Sequence, residues 1–260
     1  MKEQYSFSRL TTWEDCKAAY HLTYNQDKPR QDSFFGKLGN VCHDIMEKRD
    51  NGEEFDVLQF FQEGFVEAAK YPAHMEKQTS GFIQNAYYKK LYAFFEKIPK
   101  LSSPSYKAEQ EILIPIGDFI LKGFIDSVRD EGRTLLDYKT NNPDGKFWEH
   151  EKKVRQLYLY AGWVKKKFGY FPDKLVFWFI RYNKWKIENF DITKFNATIK
   201  WAKQMVQEIR EHEGAYTSKS VEEMEGLFCS VICGVRDSCT MRLNLDKLKR
   251  IQNGKEKKEM

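Results

Sequence analysis

The sequence predicts an α/β core preceded by a helical segment, and three observations support this prediction. Over roughly the first hundred residues, apolar side chains recur at helical spacing between prolines and glycines. The pattern then changes to short runs of Ile, Leu, Val and Phe separated by turn residues, which is typical of strands. Further along, helical and strand patterns follow one another, as in domains whose helices cover a sheet.

Four helical stretches make up the first part of the chain. In the first of them, Trp13, Cys16 and Tyr20 fall roughly on one face, so this helix has an apolar side to bury. Pro72 and Pro99 follow the ends of the last two stretches, and a proline disfavours helical backbone at the residue before it. The predicted helices span residues 8–24, 34–49, 54–70 and 75–97.

Three strands are predicted next, as an antiparallel meander with turns at Gly117 and Gly132. They span residues 106–115, 118–128 and 133–139. A long helix, two strands and a last helix follow, over residues 147–168, 173–181, 184–190 and 192–212. A loop that carries three cysteines and a charged tail complete the chain.

Composition narrows the class of protein. With 41% hydrophobic and 15% aromatic residues, the chain has enough apolar material for a packed core, which excludes a disordered chain. Neither a long apolar run nor the apolar stretch of a secretory signal is present, so we expect a cytosolic protein that does not span a membrane. The net charge of +5 is compatible with a polyanionic partner but does not require one.

Two neighbouring predicted strands carry charged residues inside apolar strings. One strand ends near Asp126, and the next contains Asp137 and Lys139 in the string TLLDYKT. Asp137 and Lys139 are two positions apart and therefore point to the same face, and Asp126 can approach them across the turn. An ordinary ion pair on a solvated sheet is the alternative interpretation, but charges embedded in apolar strings need a partner or a metal.

Phosphodiester hydrolysis uses this combination of groups. It requires Mg²⁺ or Mn²⁺ to neutralise charge that develops at the phosphate, and these hard cations prefer carboxylate oxygens. It also requires an attacking water, which a neighbouring lysine can orient or help to deprotonate while it stabilises charge at the phosphate. The two aspartates and the lysine therefore predict a metal-dependent hydrolytic site.

Two helical motifs extend this constellation. His43 lies on an early helix and is a candidate third metal ligand, although a lone helical histidine is more often structural or exposed. Gln156 and Tyr160 are four positions apart on the helix that follows the Asp–Lys strand, so they share a face. They could line a cleft and position the lysine or a DNA phosphate; alternatively, Tyr160 is a core residue.

In this order, the motifs G-x-x-x-H, G-x-x-D, D-Y-K-T and Q-L-x-x-Y resemble the RecB family of PD-(D/E)xK nucleases. The resemblance covers roughly residues 5–240. The motifs fall at Gly39 and His43, at Gly123 and Asp126, at Asp137 to Thr140, and at Gln156, Leu157 and Tyr160. The resemblance implies a restriction-endonuclease-like α/β core. Its central mixed sheet would be flanked by helices, with an N-terminal helical segment and a C-terminal cap that bears the cysteines.

The resemblance also implies roles for individual residues. The metal ligands would be His43, Asp126, Asp137 and the main-chain carbonyl of Tyr138; Lys139 would be the catalytic lysine, and Gln156 and Tyr160 would contact the substrate. The family often has a glutamate on the first core strand. Glu109 and Glu111 are both available, and the sequence does not choose between them.

Five cysteines are too few for a disulfide scaffold of this length. Three of them, Cys229, Cys233 and Cys239, fall close together near the end of the chain, which favours a metal or a cofactor. A subset of the RecB family, the AddB-type subunits and the CRISPR-associated RecB-like exonucleases, has one early and three late cysteines. The resemblance to it implies a [4Fe–4S] cluster on Cys16 and the three late cysteines. The usual late spacing is C-x2-C-x5-C, and here it is C-x3-C-x5-C. Zinc and free thiols are the alternatives, and Cys42 is left over.

We therefore expect a Mg²⁺- or Mn²⁺-dependent DNA exonuclease with possible endonuclease activity. A non-catalytic nucleic-acid-binding or assembly module with a nuclease-like fold is the alternative function, and an RNA nuclease is a third. Arg155 and Trp148 could guide and stack a strand. The P-loop of helicases is absent from the sequence, so unwinding would come from a helicase or recombination partner, as in phages, recombination systems and CRISPR loci.

The expected organisation is a single nuclease domain over residues 1–245, followed by a charged tail over residues 246–260. Within the domain we expect a helical part over residues 1–104, a catalytic core over residues 105–212 and a cysteine cap over residues 213–245.

Overall fold

A computed structural model describes residues 2–73, 78–98, 108–145, 149–220 and 228–244. The start of the predicted helix at 75–97, the first residues of the strand at 106–115, the start of the helix at 147–168 and the tail at 246–260 lie outside these ranges, as does Trp148. None of the helices in the described ranges is long and apolar enough to cross a membrane.

Helices dominate the first part of the chain, as predicted, and most of them begin at a residue whose side chain caps the first turn. Ser33, Asp56 and Thr79 each accept a hydrogen bond from a backbone N–H three residues further along, which satisfies a donor that the helix itself leaves open. The helices are α1 (Phe7–Asp15), α2 (Lys17–Tyr20), α3 (Phe34–Asp50), α4 (Val57–Ala69) and α5 (Ser80–Glu96), with a π turn at His21–Asn25 after α2.

The prediction of one continuous helix over residues 8–24 was wrong. The chain breaks at Cys16, whose backbone is extended with φ −162° and ψ 102°. The Cys16 thiol then accepts a hydrogen bond from the backbone N–H of Ala19 at 3.4 Å, so this residue also caps α2. The break turns Cys16 out of the apolar face on which a regular helix would have placed it.

Two sheets form the core. The first has the order β1–β3–β2 and the second has the order β4–β5–β6–β7. The strands are β1 (Gln4–Tyr5), β2 (Gln110–Ile116), β3 (Phe119–Ile125), β4 (Ser127–Arg129), β5 (Thr134–Lys139), β6 (Lys174–Phe179) and β7 (Lys184–Asn189). Parallel pairing of β5 with β6 requires a crossover, which α6 (His150–Phe168) provides; α7 (Ile192–Arg210) follows β7. The α/β fold with mixed sheets is therefore confirmed.

The predicted three-strand meander is divided between the two sheets. β2 and β3 form one hairpin, and β4 and β5 form another, with Asp126 between the two. Asp126 leaves the ladder because its side chain accepts the backbone N–H of Tyr138 at 2.7 Å, a donor that a regular strand would direct to a carbonyl. The break between the sheets therefore lies at a predicted site residue.

Side chains of β5 alternate between two hydrophobic clusters. Leu135 packs in the cluster that includes residues of α1, α6 and the first sheet, whereas Leu136 and Tyr138 pack in the cluster formed with α3, α4 and α5. Because side chains along a strand alternate, Asp137 and Lys139 share the face of Leu135. β5 is thus fixed on both sides by buried apolar contacts. Its two charged residues, Asp137 and Lys139, lie on the face that Leu135 directs into the first cluster.

Candidate active site

Helix α3, strand β5 and the residue between β3 and β4 bring the predicted acidic and basic residues together. Ser127 of β4 pairs with Leu136 of β5, so Asp126, one residue earlier, lies beside Asp137, one residue later. Asp126 and Asp137 are 8% and 3% exposed, so both carboxyl groups are buried. The expectation that Asp126 approaches the Asp–Lys strand is confirmed, although it does so from the break between two strands.

His43 reaches the same point from α3. Its Nδ1 atom lies 3.4 Å from Oδ2 of Asp126 and 3.7 Å from Oε1 of Glu109. Ligand atoms of these three residues all lie within 4.8 Å of one another, which makes them the one group in the described ranges with the geometry to hold a metal ion. Two carboxylates and an imidazole suit a divalent cation of the first transition series, and the carboxylates suit magnesium.

Glu109 is the glutamate that the sequence could not select. It precedes β2 with a φ of 48°, and its N–H donates to the carbonyl of Asp126 at 3.2 Å. On a regular strand Glu109 and Glu111 would share a face, but the left-handed residue breaks the alternation. Glu111 instead pairs with Lys122 at 3.4 Å on the strand surface, away from the group of three.

Asp137 and Lys139 form an ion pair next to this group. Burial alone would lower the pKa of Lys139, but the nearby carboxylates of Asp137 and Asp126 raise it above its usual value. Burial also raises the pKa of Asp137 to about 6, against the opposing effect of Lys139. At neutral pH the lysine is therefore a fixed cation, and Asp137 is the more easily protonated of the two aspartates.

The pKa values of Asp126 and His43 are shifted in the direction opposite to the one that burial alone would cause. Burial alone would raise the pKa of Asp126, yet the positive charge of His43 lowers it. Burial alone would lower the pKa of His43, yet the charge of Asp126 and its hydrogen bond raise it to about 10. Without a metal, His43 therefore carries a proton at neutral pH, and a cation bound at this point would replace that proton.

A buried network attaches α3 to β5. Asp50, at the end of α3, accepts hydrogen bonds from Arg129 at 2.5 Å and from the hydroxyl of Tyr138 at 2.6 Å. Tyr138 lies between Asp137 and Lys139, and its ring contacts the ring of His43 edge-on at 6.4 Å. No local pattern in the sequence indicates this network, because Asp50 is 79 residues from Arg129 and 88 residues from Tyr138.

Gln156 and Tyr160 both lie on α6, and both reach the cleft that the group of three lines. The Gln156 side-chain amide donates to the Tyr160 hydroxyl at 3.1 Å, and both residues line a cleft of about 1110 Å³ together with His43, Glu109 and Asp126. Tyr160 is 4% exposed, so it is a core residue as well as a cleft residue. Burial raises the pKa of its hydroxyl, which therefore remains a neutral hydrogen-bonding group.

Gly123 explains why a glycine precedes Asp126 in this constellation. A Cβ atom at Gly123 would lie 2.6 Å from the Tyr160 ring and hydroxyl. We expect Gly123→Ala to displace Tyr160, break its bond to Gln156 and destabilise the protein by about 1–3 kcal/mol, as overpacking of a core does. Urea denaturation and the rate of cleavage measure the two effects.

Two further variants test the cause of that loss. Gly81→Ala is the matched control, since a Cβ there meets nothing within 4 Å. In the Tyr160→Ala background, the Gly123→Ala change should cost much less, because the clashing ring is gone. An equal cost with and without the Tyr160 ring would contradict this account of Gly123.

Two predicted DNA-guiding residues have other or undescribed surroundings. Arg155 pairs with Glu14 at 3.0 Å and stacks on Trp201 at 4.7 Å, outside the lining of the cleft. Trp148 lies outside the described residues. Of the basic side chains that do line the cleft, Arg9 and Lys122 were not singled out from the sequence.

Four of the five cysteines line a second cavity. The four are Cys16, Cys229, Cys233 and Cys239. The late cysteines are held there by contacts to the first part of the chain, such as the bond from Gln31 N–H to the Gly234 carbonyl at 2.6 Å. Burial and then the neighbouring thiols raise the pKa of Cys229 to about 11. Cys42 is buried elsewhere, in the hydrophobic cluster that contains residues of α3, α4 and α5.

Comparison with known protein families identifies the family of this chain. The profile of the PD-(D/E)XK nuclease superfamily matches residues 4–240, a range that includes the group of three, the Asp–Lys pair and all five cysteines. Among curated proteins, no similar sequence was found.

Proposed function

The chain belongs to the PD-(D/E)XK nuclease superfamily, and from this premise we propose that it is a metal-dependent DNA exonuclease of the RecB-like type. One observation carries the proposal. A metal-binding group of His43, Glu109 and Asp126 lines a large cleft, and the Asp137–Lys139 ion pair lies next to Asp126. A cleft lined by a metal-binding group, with a buried lysine beside that group, suits hydrolysis of a phosphodiester bound in the cleft.

The metal would be held by His43, Glu109 and Asp126, with Asp137 and the Tyr138 carbonyl as further ligands. The oxygen-rich donor set fits Mg²⁺ or Mn²⁺. Bound there, such an ion supplies a Lewis acid for the phosphate and a water of lowered pKa. The proton on His43 and the raised pKa of Asp137 both fit a site whose ligands are close together without a cation between them.

The remaining chemistry falls to Lys139 and its neighbours. Because the pKa of Lys139 is raised, the ammonium group keeps its charge and can stabilise the anionic phosphate and orient the attacking water. Asp137 restrains the ammonium group through their ion pair. Gln156 and Tyr160 present polar atoms on the wall beside the phosphate and exclude bulk water from that side.

For the cysteine cavity we propose a structural [4Fe–4S] cluster on Cys16, Cys229, Cys233 and Cys239. Four thiols around one cavity match the ligand requirement of a cubane. A single zinc bound at about 2.3 Å by four thiolates would need sulfurs roughly 3.8 Å apart. In the described part of the chain, no three of these sulfurs lie within 4.8 Å of one another, which favours the larger group. Lys219, Arg236 and Arg242 also line the cavity and would offset the negative charge of the cluster.

The wider assignments are part of the same proposal. The cysteine cap at residues 213–245 would close the catalytic core onto the helical part, all within one nuclease domain over residues 1–245. A reducing cytosol would keep the thiols available for iron. A helicase or recombination protein would supply the single strands.

The test is digestion of end-labelled linear single-stranded DNA, double-stranded DNA and RNA with Mn²⁺, Mg²⁺ or EDTA, after anaerobic purification. The proposal expects EDTA-sensitive shortening of DNA from its ends and little digestion of RNA. Equal digestion of RNA would make the protein a nuclease of broader substrate class. Protein that binds DNA but never cuts it would instead favour a non-catalytic binding module.

The pKa of His43 predicts how pH affects the metal. A folded-state pKa of about 10, against 6.5 in the unfolded chain, means that His43 stabilises the metal-free fold below pH 6.5. This contribution is lost as pH rises from 6.5 to 10. Because Mn²⁺ competes with that proton, its affinity should rise with pH across pH 6.5–8.5, by up to about tenfold per unit. Isothermal calorimetry in buffers of different ionisation enthalpy measures both the affinity and the released proton.

His43→Asn serves as the comparison. Its weaker Mn²⁺ binding should depend much less on pH, because it has no imidazole to deprotonate. If Mn²⁺ binds to the wild type with the same affinity at pH 6.5 and pH 8.5, His43 is not the group that gives up a proton.

A further inference from the structure

The cleft that contains the metal group extends to a second wall that no catalytic motif describes. This wall is the N-terminal segment, where β1 leads into the first turn of α1. Ser6, Ser8, Arg9 and Tyr24 line the same cleft as His43 and Asp126. The cleft is therefore lined both by the metal-binding group and by a segment that carries a guanidinium and three hydroxyls.

Arg9 is held in a fixed position on this wall. Its Nε donates to the Tyr20 hydroxyl at 3.0 Å, and its Nη1 donates to the Gln4 carbonyl at 3.0 Å. The guanidinium lies over the ring of Tyr5 at 4.4 Å and near that of Tyr24 at 5.3 Å. Two directed hydrogen bonds and a stacked ring immobilise the side chain before any ligand arrives, which lowers the entropy cost of binding.

What Arg9 lacks is an acidic partner. In the described part of the chain, no carboxylate lies within 4.0 Å of its guanidinium, and its Nη2 has no hydrogen-bond partner. Arg155 and Arg210, by contrast, pair with the carboxylates of Glu14 and Glu3. A rigid, unneutralised guanidinium facing a cleft is a site for an anion, and its fork of N–H donors matches phosphate.

Two hydroxyls stand beside this guanidinium. Ser6 caps α1 by accepting the backbone N–H of Arg9 at 3.1 Å, and its Oγ lies 3.0 Å from the Oγ of Ser8. One of the two hydroxyl hydrogens satisfies the contact between them, so the other can be donated to an anion. Ser8 is exposed, so its hydroxyl can be reached from the cleft.

We propose that Arg9, assisted by Ser6 and Ser8, binds a phosphodiester of the substrate strand that flanks the scissile one. The inference rests on the proposed nuclease function, since the cleft needs a strand with one phosphate at the metal. It adds a second anchor in the same cleft, which helps to fix the strand in register at the metal group. Arg9 is a substrate-binding residue in this scheme, so its loss weakens binding and leaves the chemical step intact.

The experiment uses 12-nucleotide single-stranded DNA with Arg9→Gln, which removes the charge but keeps an amide donor for Tyr20 or Gln4. In EDTA, we expect binding to weaken about tenfold and the slope of log K against log salt to fall by about 0.7. With Mn²⁺, KM should rise by a similar factor, and kcat should stay within about twofold. Arg133→Gln is the matched control, because Arg133 also stacks on a tyrosine (Tyr170, 3.9 Å) but lies outside the cleft.

Ser8→Asp guards against a folding defect in the Arg9 variant. A carboxylate in the first turn of α1 favours the helix dipole, so thermal stability should hold or rise, while the charge repels a phosphate. We expect binding about tenfold weaker with an unchanged melting temperature. Binding equal to wild type in this variant would overturn the proposal.

A scan of single methylphosphonates locates the contacted phosphate. One uncharged linkage outside the scissile position should weaken DNA binding by the wild type about tenfold. The same linkage should not weaken DNA binding by the Arg9→Gln variant any further. If each methylphosphonate weakens DNA binding equally in the wild type and in the Arg9→Gln variant, Arg9 has no phosphate partner. Wild-type protein that binds the strand but never cuts it would overturn the nuclease function alone, because the binding scan still reports on Arg9.

Discussion

Replacing Lys139 with Ala is expected to lower kcat for DNA cleavage by about three orders of magnitude, the range found for removing one charge-stabilising or proton-transfer group. Lys139 is the cation beside the metal group, and its raised pKa keeps it charged at neutral pH. The side chain of Lys139 is not part of the cleft lining, and its ammonium group is paired with Asp137. DNA binding, measured by fluorescence anisotropy in EDTA, should therefore change by less than about threefold.

The variant also leaves Asp137 without its ion-pair partner. Since the pKa of Asp137 is already raised to about 6, we expect it to take up a proton in the metal-free protein, which limits the loss of stability. Lys139→Met keeps the length of the side chain and should be equally inactive. Lys184→Ala is the control, because its pair with Asp144 is exposed and a surface pair contributes little. Cleavage by Lys139→Met at more than a tenth of the wild-type rate would remove Lys139 from the chemistry.

How far the sequence predicted the site depends on how local each signal is. Asp137 and Lys139 follow from the period of a strand, and His43 and Gln156 follow from the period of a helix. The approach of Asp126 to Asp137 also follows once β4 is known to pair with β5, because Asp126 lies directly before β4. These residues could be named from sequence because each is defined by its own element.

Glu109 and Arg9 could not be selected in the same way. Glu109 reaches the metal group because a left-handed residue at the start of β2 breaks the alternation that would have made it equivalent to Glu111. Arg9 reaches the cleft because the two-residue strand β1 pairs in parallel with β3, more than a hundred residues away. Neither a single unusual backbone angle nor so short a long-range pairing leaves a periodic pattern in sequence.

For Cys16, the sequence predicted the group to which the residue belongs but not the conformation of its backbone. Sequence assigned it to the cysteine group through the resemblance, but placed it within a continuous helix, and such a helix would have kept its thiol on the buried apolar face. The extended backbone at Cys16 ends α1 and brings the thiol to the cavity of the late cysteines. A functional residue that overrides its local propensity is a common reason for an error of this kind.

Cys16→Ser is expected to remove the absorbance near 400 nm (a band roughly where thiolate-to-iron charge transfer falls) and to lower the free energy of unfolding by about 3–5 kcal/mol. The cluster would join residue 16 to residues 229–239, and a clip that closes so long a loop restricts the unfolded chain strongly. Anaerobic spectra, iron and zinc analysis and chemical denaturation measure these effects.

Cys42→Ser is the matched control for that variant. Cys42 is fully buried among α3, α4 and α5 and does not line the cavity. Its replacement should therefore lower the free energy of unfolding somewhat but leave the spectrum unchanged. Because Cys16 lies outside the metal group, its variant should still cut DNA at a temperature where it remains folded. Colourless wild-type protein with one equivalent of zinc would replace the cluster by a zinc clip and leave the stability prediction in place. Colourless, zinc-free protein whose stability is unaffected by Cys16→Ser would leave the four thiols with no ligand to hold.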